Sequence, residues 1–261
     1  MTKTDSSESC PLDLQHKLSR GDSFQFDCGP HVPCFTACCA KLDLVLTPYD
    51  VLMLRRELGI TSSEFLDTYT VMSWRASHGF PEVMLKMQDK EEKRCPFVTD
   101  QGCTVYPARP AACRIYPLGR AATSHPRDGS VQEFYFTVRE PHCAGFQQNR
   151  QWKVAEWLED QGMEECNRLN DLLMKLYVLK TRGKTVNLSP QHVQMFVMAC
   201  YNLERFRDFI FNSGFLKKFV IDSKLVESLA QDEVKLLEFA FQWLRFALFQ
   251  EPVLKVRIQA R

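Results

Sequence analysis

The chain has 261 residues, and its 33 basic and 32 acidic side chains leave a formal net charge of +1. No block of like charge stands out, so the charge pattern does not favour a nucleic-acid or anionic-membrane partner. Hydrophobic residues make up 45% of the chain, and at this length a core can be buried without covalent crosslinks. Length alone favours one large domain or two small ones.

The expected cellular compartment follows from what the sequence lacks. Residues 1–10 are polar and contain no apolar stretch of the kind found in a secretory signal. No run of about 18 uninterrupted apolar residues occurs, so we expect no transmembrane helix. We therefore expect a cytoplasmic protein, and disulfides are rare in that reducing compartment. An odd total of eleven cysteines also fits a disulfide framework poorly.

The first predicted elements are short. Residues 1–23 are predicted to form a flexible tail, and the alternation of apolar and polar side chains over 42–46 predicts a short strand. Thr47 followed by Pro48 predicts a helix start, with the threonine as cap and the proline in the first turn. Gly59 is predicted to end that helix.

The region that follows is predicted to mix strands and irregular loops. Thr61 and Glu64 have the spacing of a capping box, which predicts a second short helix. Residues 83–87 are predicted to form a strand. Residues 95–113 are rich in proline, glycine and arginine, so we expect an irregular segment there.

The remainder of the chain is predicted to be helical after one more strand. Residues 131–138 are β-branched and aromatic, which predicts a strand, and we expect it to pair with 115–118. Helical periodicity begins at Trp152. Ser189, followed by proline, is a predicted cap for a helix that reaches past residue 206, and Asp232 is predicted to start the last long helix.

These elements predict a mainly helical α+β fold. We expect a small, irregular, cysteine-rich region with helical and β-hairpin elements at residues 24–150, and this region is predicted to bind metal. A helical region at residues 151–261 is predicted to follow and to pack on it as one body.

Eight of the eleven cysteines lie between residues 28 and 143. They are Cys28, Cys34, Cys38, Cys39, Cys95, Cys103, Cys113 and Cys143. Soft thiolates suit zinc and iron–sulfur clusters and are poor ligands for magnesium and calcium. The spacings are irregular and include no C-x2-C pair, so an iron–sulfur cluster is favoured and a zinc site is the alternative.

The number and spacing of these thiols leave their division among sites open. Eight thiolates exceed one four-ligand site, so two sites, or one cluster with spare redox cysteines, are both compatible with the sequence. The adjacent Cys38 and Cys39 would point their thiolates in different directions. The remaining Cys10, Cys166 and Cys200 are expected to be small apolar side chains without a ligand role.

An ordered set of motifs runs through the cysteine-rich region: Phe26 to Cys39, Leu46 to Val51, Cys95 to Phe97, Cys103 to Tyr106, Arg109-Pro110 and Cys113 to Pro117. This set resembles the YkgJ-type cysteine-cluster family, which is described by zinc or iron chelation and includes the flagellin lysine-N-methylases. The resemblance covers about residues 24–150. The family's first cysteines are usually closer together, so residues 29–33 resemble an insertion, and Cys28, Cys34 or both are candidate ligands.

The resemblance implies an enzyme that uses S-adenosylmethionine to modify a protein or peptide. Arg109 and Arg114 flank Cys113, and we expect them either to bind the cofactor carboxylate or to make ordinary salt bridges. The chain has no glycine-rich dinucleotide loop, so the cofactor would bind in another way. The alternatives are a non-enzymatic metal-binding or electron-transfer module and a zinc-stabilised interaction domain.

Overall fold

The computed structural model describes residues 16–74, 79–88, 91–124, 130–181 and 188–257. The helices in these ranges are α1 (Pro48–Leu58), α2 (Ser62–Tyr69), α3 (Ala111–Ile115), α4 (Val154–Asp160), α5 (Met163–Thr181), α6 (Pro190–Tyr201), α7 (Leu203–Asn212), α8 (Phe215–Lys218), α9 (Ser223–Gln231) and α10 (Glu233–Phe249). Single 3-10 turns lie at Ala37–Cys39, Tyr106–Ala108 and Gly145–Gln147. The predicted α+β, mainly helical class is confirmed.

The strands are short and antiparallel wherever they pair. They are β1 (Ser23–Gln25), β2 (Val45–Leu46), β3 (Thr70–Ser73), β4 (Glu82–Leu85), β5 (Val98–Thr99), β6 (Gly102–Cys103), β7 (Leu118–Ser124), β8 (Val131–Thr137), β9 (Gln151–Lys153), β10 (Phe219–Val220) and β11 (Lys255–Val256). Strands β2, β4 and β3 form a three-stranded sheet in that order, and the other strands pair as β1–β9, β5–β6, β7–β8 and β10–β11.

The strand predicted at 131–138 is present, but its partner lies further along the chain than expected. Strand β8 pairs with β7 from Leu118 opposite Thr137 to Ser124 opposite Val131. Residues 111–115 form helix α3 instead, so Leu118 is the one position of the predicted partner segment 115–118 that belongs to the strand.

Helices α1 and α2 begin with the caps that the sequence predicts. The Thr47 hydroxyl accepts a hydrogen bond from the Asp50 amide at 3.2 Å, and the Asp50 carboxylate accepts one from the Thr47 amide at 2.8 Å. Thr61 and Glu64 make the same reciprocal pair at the start of α2. Gly59 ends α1 at φ 66°, a left-handed conformation that glycine adopts without steric cost.

The predicted caps at Ser189 and Asp232 are also confirmed. Two other predictions for the helical region, at Trp152 and after Ser189, are wrong. The stretch from Trp152 opens with strand β9, because its backbone pairs with β1 before α4 begins. The helix after Ser189 ends at Tyr201, since Asn202 leaves helical geometry and its side chain caps α7. The single helix predicted after Ser189 is therefore two helices, α6 and α7.

The segment predicted as a flexible tail is attached to the fold over its described part. The Leu18 amide donates to the Tyr135 carbonyl at 2.7 Å, and the Tyr135 amide donates back at 2.9 Å. The Val154 amide donates to the Asp22 carbonyl at 2.9 Å. Residues 16–23 are therefore ordered by backbone hydrogen bonds, contrary to the prediction, while residues 1–15 lie outside the described part of the chain.

Two apolar clusters hold these elements together. The larger one joins α1 and the three-stranded sheet to helices α5–α10, so that Leu54, Phe65, Phe196 and Leu237 share one core. The smaller one lies around Trp157 and brings together β1, α3, β7, β8, α4 and the start of α5. Side chains from both sides of residue 150 therefore contribute to the same cores. Among the helices described, not one combines the length and the apolar character needed to cross a bilayer.

Candidate metal centre

The adjacent residues Cys38 and Cys39, called the vicinal cysteines below, lie on a single 3-10 turn, Ala37–Cys39. This turn is joined to the second cysteine segment through the backbone. The Cys95 amide donates to the Cys39 carbonyl at 2.8 Å, and the Lys41 amide donates to the Lys93 carbonyl at 2.8 Å. These bonds bring the chain around Cys39 next to the chain around Cys95, although the two are more than fifty residues apart in sequence.

A small hairpin then returns the chain from Cys95 to Cys103. Strands β5 and β6 pair Val98 with Cys103, and the Thr104 amide donates to the Phe97 carbonyl at 2.8 Å. The segment predicted to be irregular therefore contains a two-residue ladder. Burial raises the pKa of both thiols, and for Cys95 the neighbouring Cys103 raises it further.

Helix α3 places Cys113, and Asp50 of α1 fixes the start of that helix. The fully buried Asp50 carboxylate accepts a hydrogen bond from the Ala111 amide at 2.8 Å. Burial raises the pKa of Asp50, and these hydrogen bonds oppose that rise. The surrounding protein, followed by the neighbouring Cys95, raises the pKa of Cys113 to about 12, although solvent reaches the residue.

A separate set of contacts holds the chain at Cys143 against the segment that carries Cys28 and Cys34. The Asp27 amide donates to the Gly145 carbonyl at 3.1 Å, and the Ala144 amide approaches the Cys34 sulfur at 3.2 Å. Gly145 must be glycine here, because an added Cβ would lie 2.4 Å from the Phe26 ring and 2.7 Å from the Asp27 carbonyl oxygen. Cys143 therefore lies beside both candidate first ligands.

The thiols influence one another electrostatically. Burial, and then the neighbouring Cys38, Cys34 and Cys143, raises the pKa of Cys28 to about 11. A hydrogen bond from the Cys39 thiol lowers the pKa of Cys38 and raises that of Cys39. Thiols with raised pKa values are protonated at neutral pH, so a metal that bound here would release protons.

The eight thiols differ from the other described cysteines in exposure. Cys28 and Cys113 are exposed and the other six are half-buried, whereas Cys166 and Cys200 are buried in the apolar clusters. The prediction that Cys166 and Cys200 are small apolar side chains is confirmed. Cys10, for which the same was predicted, lies outside the described residues.

The donor set fits a soft metal by its chemistry. All eight side chains are thiols, which bind zinc and iron in preference to hard cations. Over the described ranges, no three or more His, Cys, Asp or Glu side chains are already arranged to hold a metal ion. Thiol side chains would therefore have to turn toward the metal on binding.

The predicted cofactor ligands Arg109 and Arg114 lie beside this region and already make several contacts. The Arg109 guanidinium stacks 3.8 Å from the Tyr106 ring centroid and donates to the Gln161 side chain. Arg114 donates to the backbone carbonyls of Arg109, at 2.9 Å, Gln161, at 3.2 Å, and Pro107. These bonds fix the loop before α3 against the end of α4. A role toward a cofactor carboxylate stays a prediction.

An open pocket of about 500 Å³ borders the vicinal cysteines. Phe35 and Ala37 give it an apolar side, and Lys41, Glu91 and Arg94 contribute charges of both signs. Sequence patterns did not indicate this pocket, because its walls come from two segments that only the fold brings together.

Two side chains outside the cysteine set lie near the thiols. Asp50 was not predicted from the sequence to act there, yet it positions α3. The buried Tyr116 hydroxyl has no hydrogen-bond partner among the described residues and lies near Cys143, and burial together with this thiol raises its pKa. Both residues lie in the stretches that carry the family resemblance, and that resemblance was the one sequence signal that could have pointed to them.

The fold thus gathers cysteines from three separate segments into one surface region that suits a thiolate-bound metal. A family model described as "Putative zinc- or iron-chelating domain", named CxxCxxCC, matches residues 27–144. The matched segment carries all eight thiols, and the match agrees with the cysteine-cluster resemblance of the sequence. No curated protein and no solved structure matches the chain.

Proposed function

We propose that this protein binds an iron–sulfur cluster through its clustered thiols and uses S-adenosylmethionine to modify a protein or peptide. The observation that carries the metal-binding part is the convergence of eight accessible thiols from three distant segments. The match of residues 27–144 to a family model described by zinc or iron chelation supports the same conclusion. We place this function in the cytoplasm, where thiols stay reduced.

Ligand arrangement supports iron–sulfur over zinc. Structural zinc sites are usually built from C-x2-C pairs, in which one tight turn points both thiolates at a single ion. The cysteines here come from a 3-10 turn, a hairpin, a short helix and irregular loops, with spacings that suit a larger, multi-atom group. A zinc-stabilised interaction domain remains the alternative for the same thiols.

Metal analysis of protein purified without oxygen tests the cluster. We expect iron and acid-labile sulfide in equal amounts, with roughly four irons in each cluster of the cubane type. Zinc should be present only in traces. Stoichiometric zinc with no iron or sulfide would contradict the iron–sulfur proposal and favour the zinc-stabilised domain.

The modification reaction is supported by the family resemblance and by the pocket beside the vicinal cysteines. S-adenosylmethionine carries an ammonium and a carboxylate at its amino-acid end, and the pocket offers Glu91 together with Lys41 and Arg94. Arg114 lies on α3 next to Cys113, and two of its guanidinium N–H groups are not used by the three backbone carbonyls. It is our candidate for the carboxylate partner.

Cofactor binding can be measured directly on the anaerobic, metal-loaded protein. Adding S-adenosylmethionine should change the cluster's absorption or paramagnetic spectrum, and Arg114→Ala should weaken that response about tenfold or more. Arg168→Ala on α5 serves as the control, because this arginine pairs with Glu165 and Glu238 away from the thiol segments.

Metal content must match the wild type in both variants, so that a lost response is not simply a lost cluster. If the intact cluster shows no response at millimolar cofactor, a non-enzymatic electron-transfer or metal-binding module becomes the better function. Half-exposed thiols are compatible with that function, because a partner can approach the site closely.

A further inference from the structure

The eight thiols are held by two different backbone pairings, and each pairing assembles its own set. One pairing joins residues 26–27 to residues 145–150, through the Asp27 amide to the Gly145 carbonyl and the Phe26 amide to the Arg150 carbonyl. The other joins residues 39–41 to residues 93–95. Residues 34–41 lie next to both pairings, because Cys34 contacts Ala144 and residues 39–41 pair with residues 93–95. Among the described thiol segments, this one therefore connects the two.

Three thiols belong to the segments that the first pairing brings together. Cys28 directly follows the paired strand segment, and its electrostatic neighbours include Cys34 and Cys143. The Ala144 amide lies 3.2 Å from the Cys34 sulfur, which brings the chain at Cys143 directly against Cys34. The close approach that requires glycine at position 145 holds these segments together.

Three other thiols belong to the hairpin and the helix that follow the second pairing. The β5–β6 hairpin connects Cys95 to Cys103, and Cys113 follows on α3. Cys95 and Cys103 are both among the electrostatic neighbours of Cys113. Asp50 anchors the first turn of α3, so the position of Cys113 is set from the buried side as well.

The vicinal cysteines lie between the two groups of three. Cys38 is an electrostatic neighbour of both Cys28 and Cys113, and Cys39 is a neighbour of Cys113 and Cys95. Cys39 also accepts, through its carbonyl, the backbone hydrogen bond from Cys95. The two thiols are hydrogen-bonded to each other, so the pair links the two groups and can offer one ligand to each.

We propose that this region contains two metal centres, each with four cysteine ligands. The first thiol set is Cys28, Cys34, Cys38 and Cys143, and the second thiol set is Cys39, Cys95, Cys103 and Cys113. This inference rests on the proposed metal-binding function and adds the number of centres and the ligands of each.

The number of thiols supports two centres over one. Tetrahedral zinc sites and cubane-type clusters are each held by four cysteine ligands. A single centre would use four of the eight thiols, whereas two centres use all eight.

Counting metal on the unmodified chain is the first test. Metal-free protein, kept reduced, is titrated with Zn²⁺ against a chromophoric chelator, and the complex is weighed by native mass spectrometry. We expect two Zn²⁺ per chain and, in protein purified without oxygen, two clusters per chain. A stoichiometry of one would overturn the inference while leaving metal binding intact.

Paired substitutions assign the ligands. Cys28→Ser with Cys34→Ser disables the first set, and Cys95→Ser with Cys103→Ser disables the second, with Cys200→Ala as a control outside both sets. Each pair should lower the metal content to about half, and the control should keep all of it. Loss of all metal from either pair, or of none, would mean a single centre.

Failure of the inference and failure of the proposed function give different results. If the chain binds neither zinc nor iron tightly, both the proposed function and the inference are wrong. If the chain binds one metal centre, only the inference is wrong. If a substituted chain does not fold, the count on the wild type still decides between one centre and two.

Discussion

The thiol-bearing segments and the helical core behind them are built in contrasting ways. The former consist of 3-10 turns, two-residue strands and the five-residue α3, and none of their eight cysteines is buried. The core is formed largely by long helices, and aromatic side chains such as Phe196 and Phe206 are fully buried in it. Regular structure and apolar burial are therefore concentrated away from the thiols.

This contrast indicates that stability and metal binding depend on different parts of the chain. The helices share a large apolar core, whereas the thiol segments are held by a few backbone hydrogen bonds, so we expect the chain to fold without metal. Metal would then order the segments more than it stabilises the whole fold. Variants in each region should separate these two properties.

The largest effect is expected from a cavity in the helical core. Phe206 on α7 is fully buried and packs against Trp243 with ring centroids 5.3 Å apart. Phe206→Ala should lower the free energy of unfolding by about 3–5 kcal/mol, because it removes buried surface and leaves a cavity. Urea denaturation of the metal-free protein measures this loss.

Metal stoichiometry of the same variant below its unfolding transition should equal that of the wild type. Phe134→Ala in the β7–β8 hairpin is a useful control, since this ring is only half-buried. A Phe206→Ala variant that keeps its stability, or that loses metal while still folded, would contradict the separation of the two regions.

Asp50 connects the two regions, so its removal should affect both. Asp50→Ala removes the carboxylate that accepts from the Thr47 amide in the α1 capping box and leaves the Ala111 amide without its acceptor, and the combined loss should be about 2–4 kcal/mol. Because α3 carries Cys113, metal affinity should fall as well. Denaturation and a chelator competition measure the two effects.

Asp50→Asn is the matched variant, because its amide oxygen can still accept from Ala111 but its nitrogen cannot accept from Thr47. It should therefore recover metal affinity more fully than stability. Equal metal affinity in Asp50→Ala and the wild type would show that α3 does not need this anchor.

The buried Cys166 should make stability depend on pH in the alkaline range. Burial raises the pKa of Cys166 to about 11, above the ordinary value of about 9. The folded state therefore holds this proton more tightly, and its contribution is complete below pH 9 and lost as the pH rises through 11. The change amounts to about 2–3 kcal/mol at most.

The comparison with Cys166→Ala isolates this contribution from that of other groups that titrate above pH 9. Unfolding free energies of the two metal-free proteins should converge or cross between pH 9 and 11, because only the wild type loses this term. Parallel pH profiles would show that Cys166 titrates as it does in the unfolded chain.

Local signals made the helix boundaries near the site predictable. Thr47 with Asp50 and Thr61 with Glu64 are capping boxes that depend on residues three apart, and the structure contains both. The cysteine ligands were likewise proposed from type and spacing alone. What sequence reasoning could not supply was how these segments meet.

Long-range pairing explains the predictions that were wrong. Residues 16–23 are ordered through bonds to Tyr135 and Val154, which lie more than a hundred residues away. Strand β9 exists because β1 lies beside it, and a helical pattern from Trp152 gives no sign of that partner. The same applies to Asp50, whose contact with Ala111 depends on tertiary structure.

The smallest change in stability is expected from a substitution that bears most closely on the thiols. The Tyr116 hydroxyl is buried without a hydrogen-bond partner among the described residues, so Tyr116→Phe should change the unfolding free energy by less than about 1 kcal/mol. The same hydroxyl lies near Cys143 and would donate to that thiolate once a metal is bound. Because outer partners of this kind tune metal affinity, Tyr116→Phe should weaken metal binding about tenfold. Tyr106→Phe is the matched control, since its ring is exposed and stacks on Arg109. Chelator competition on both variants would sharpen the contrast between the regions, and equal affinities would show that the Tyr116 hydroxyl plays no part at the thiols.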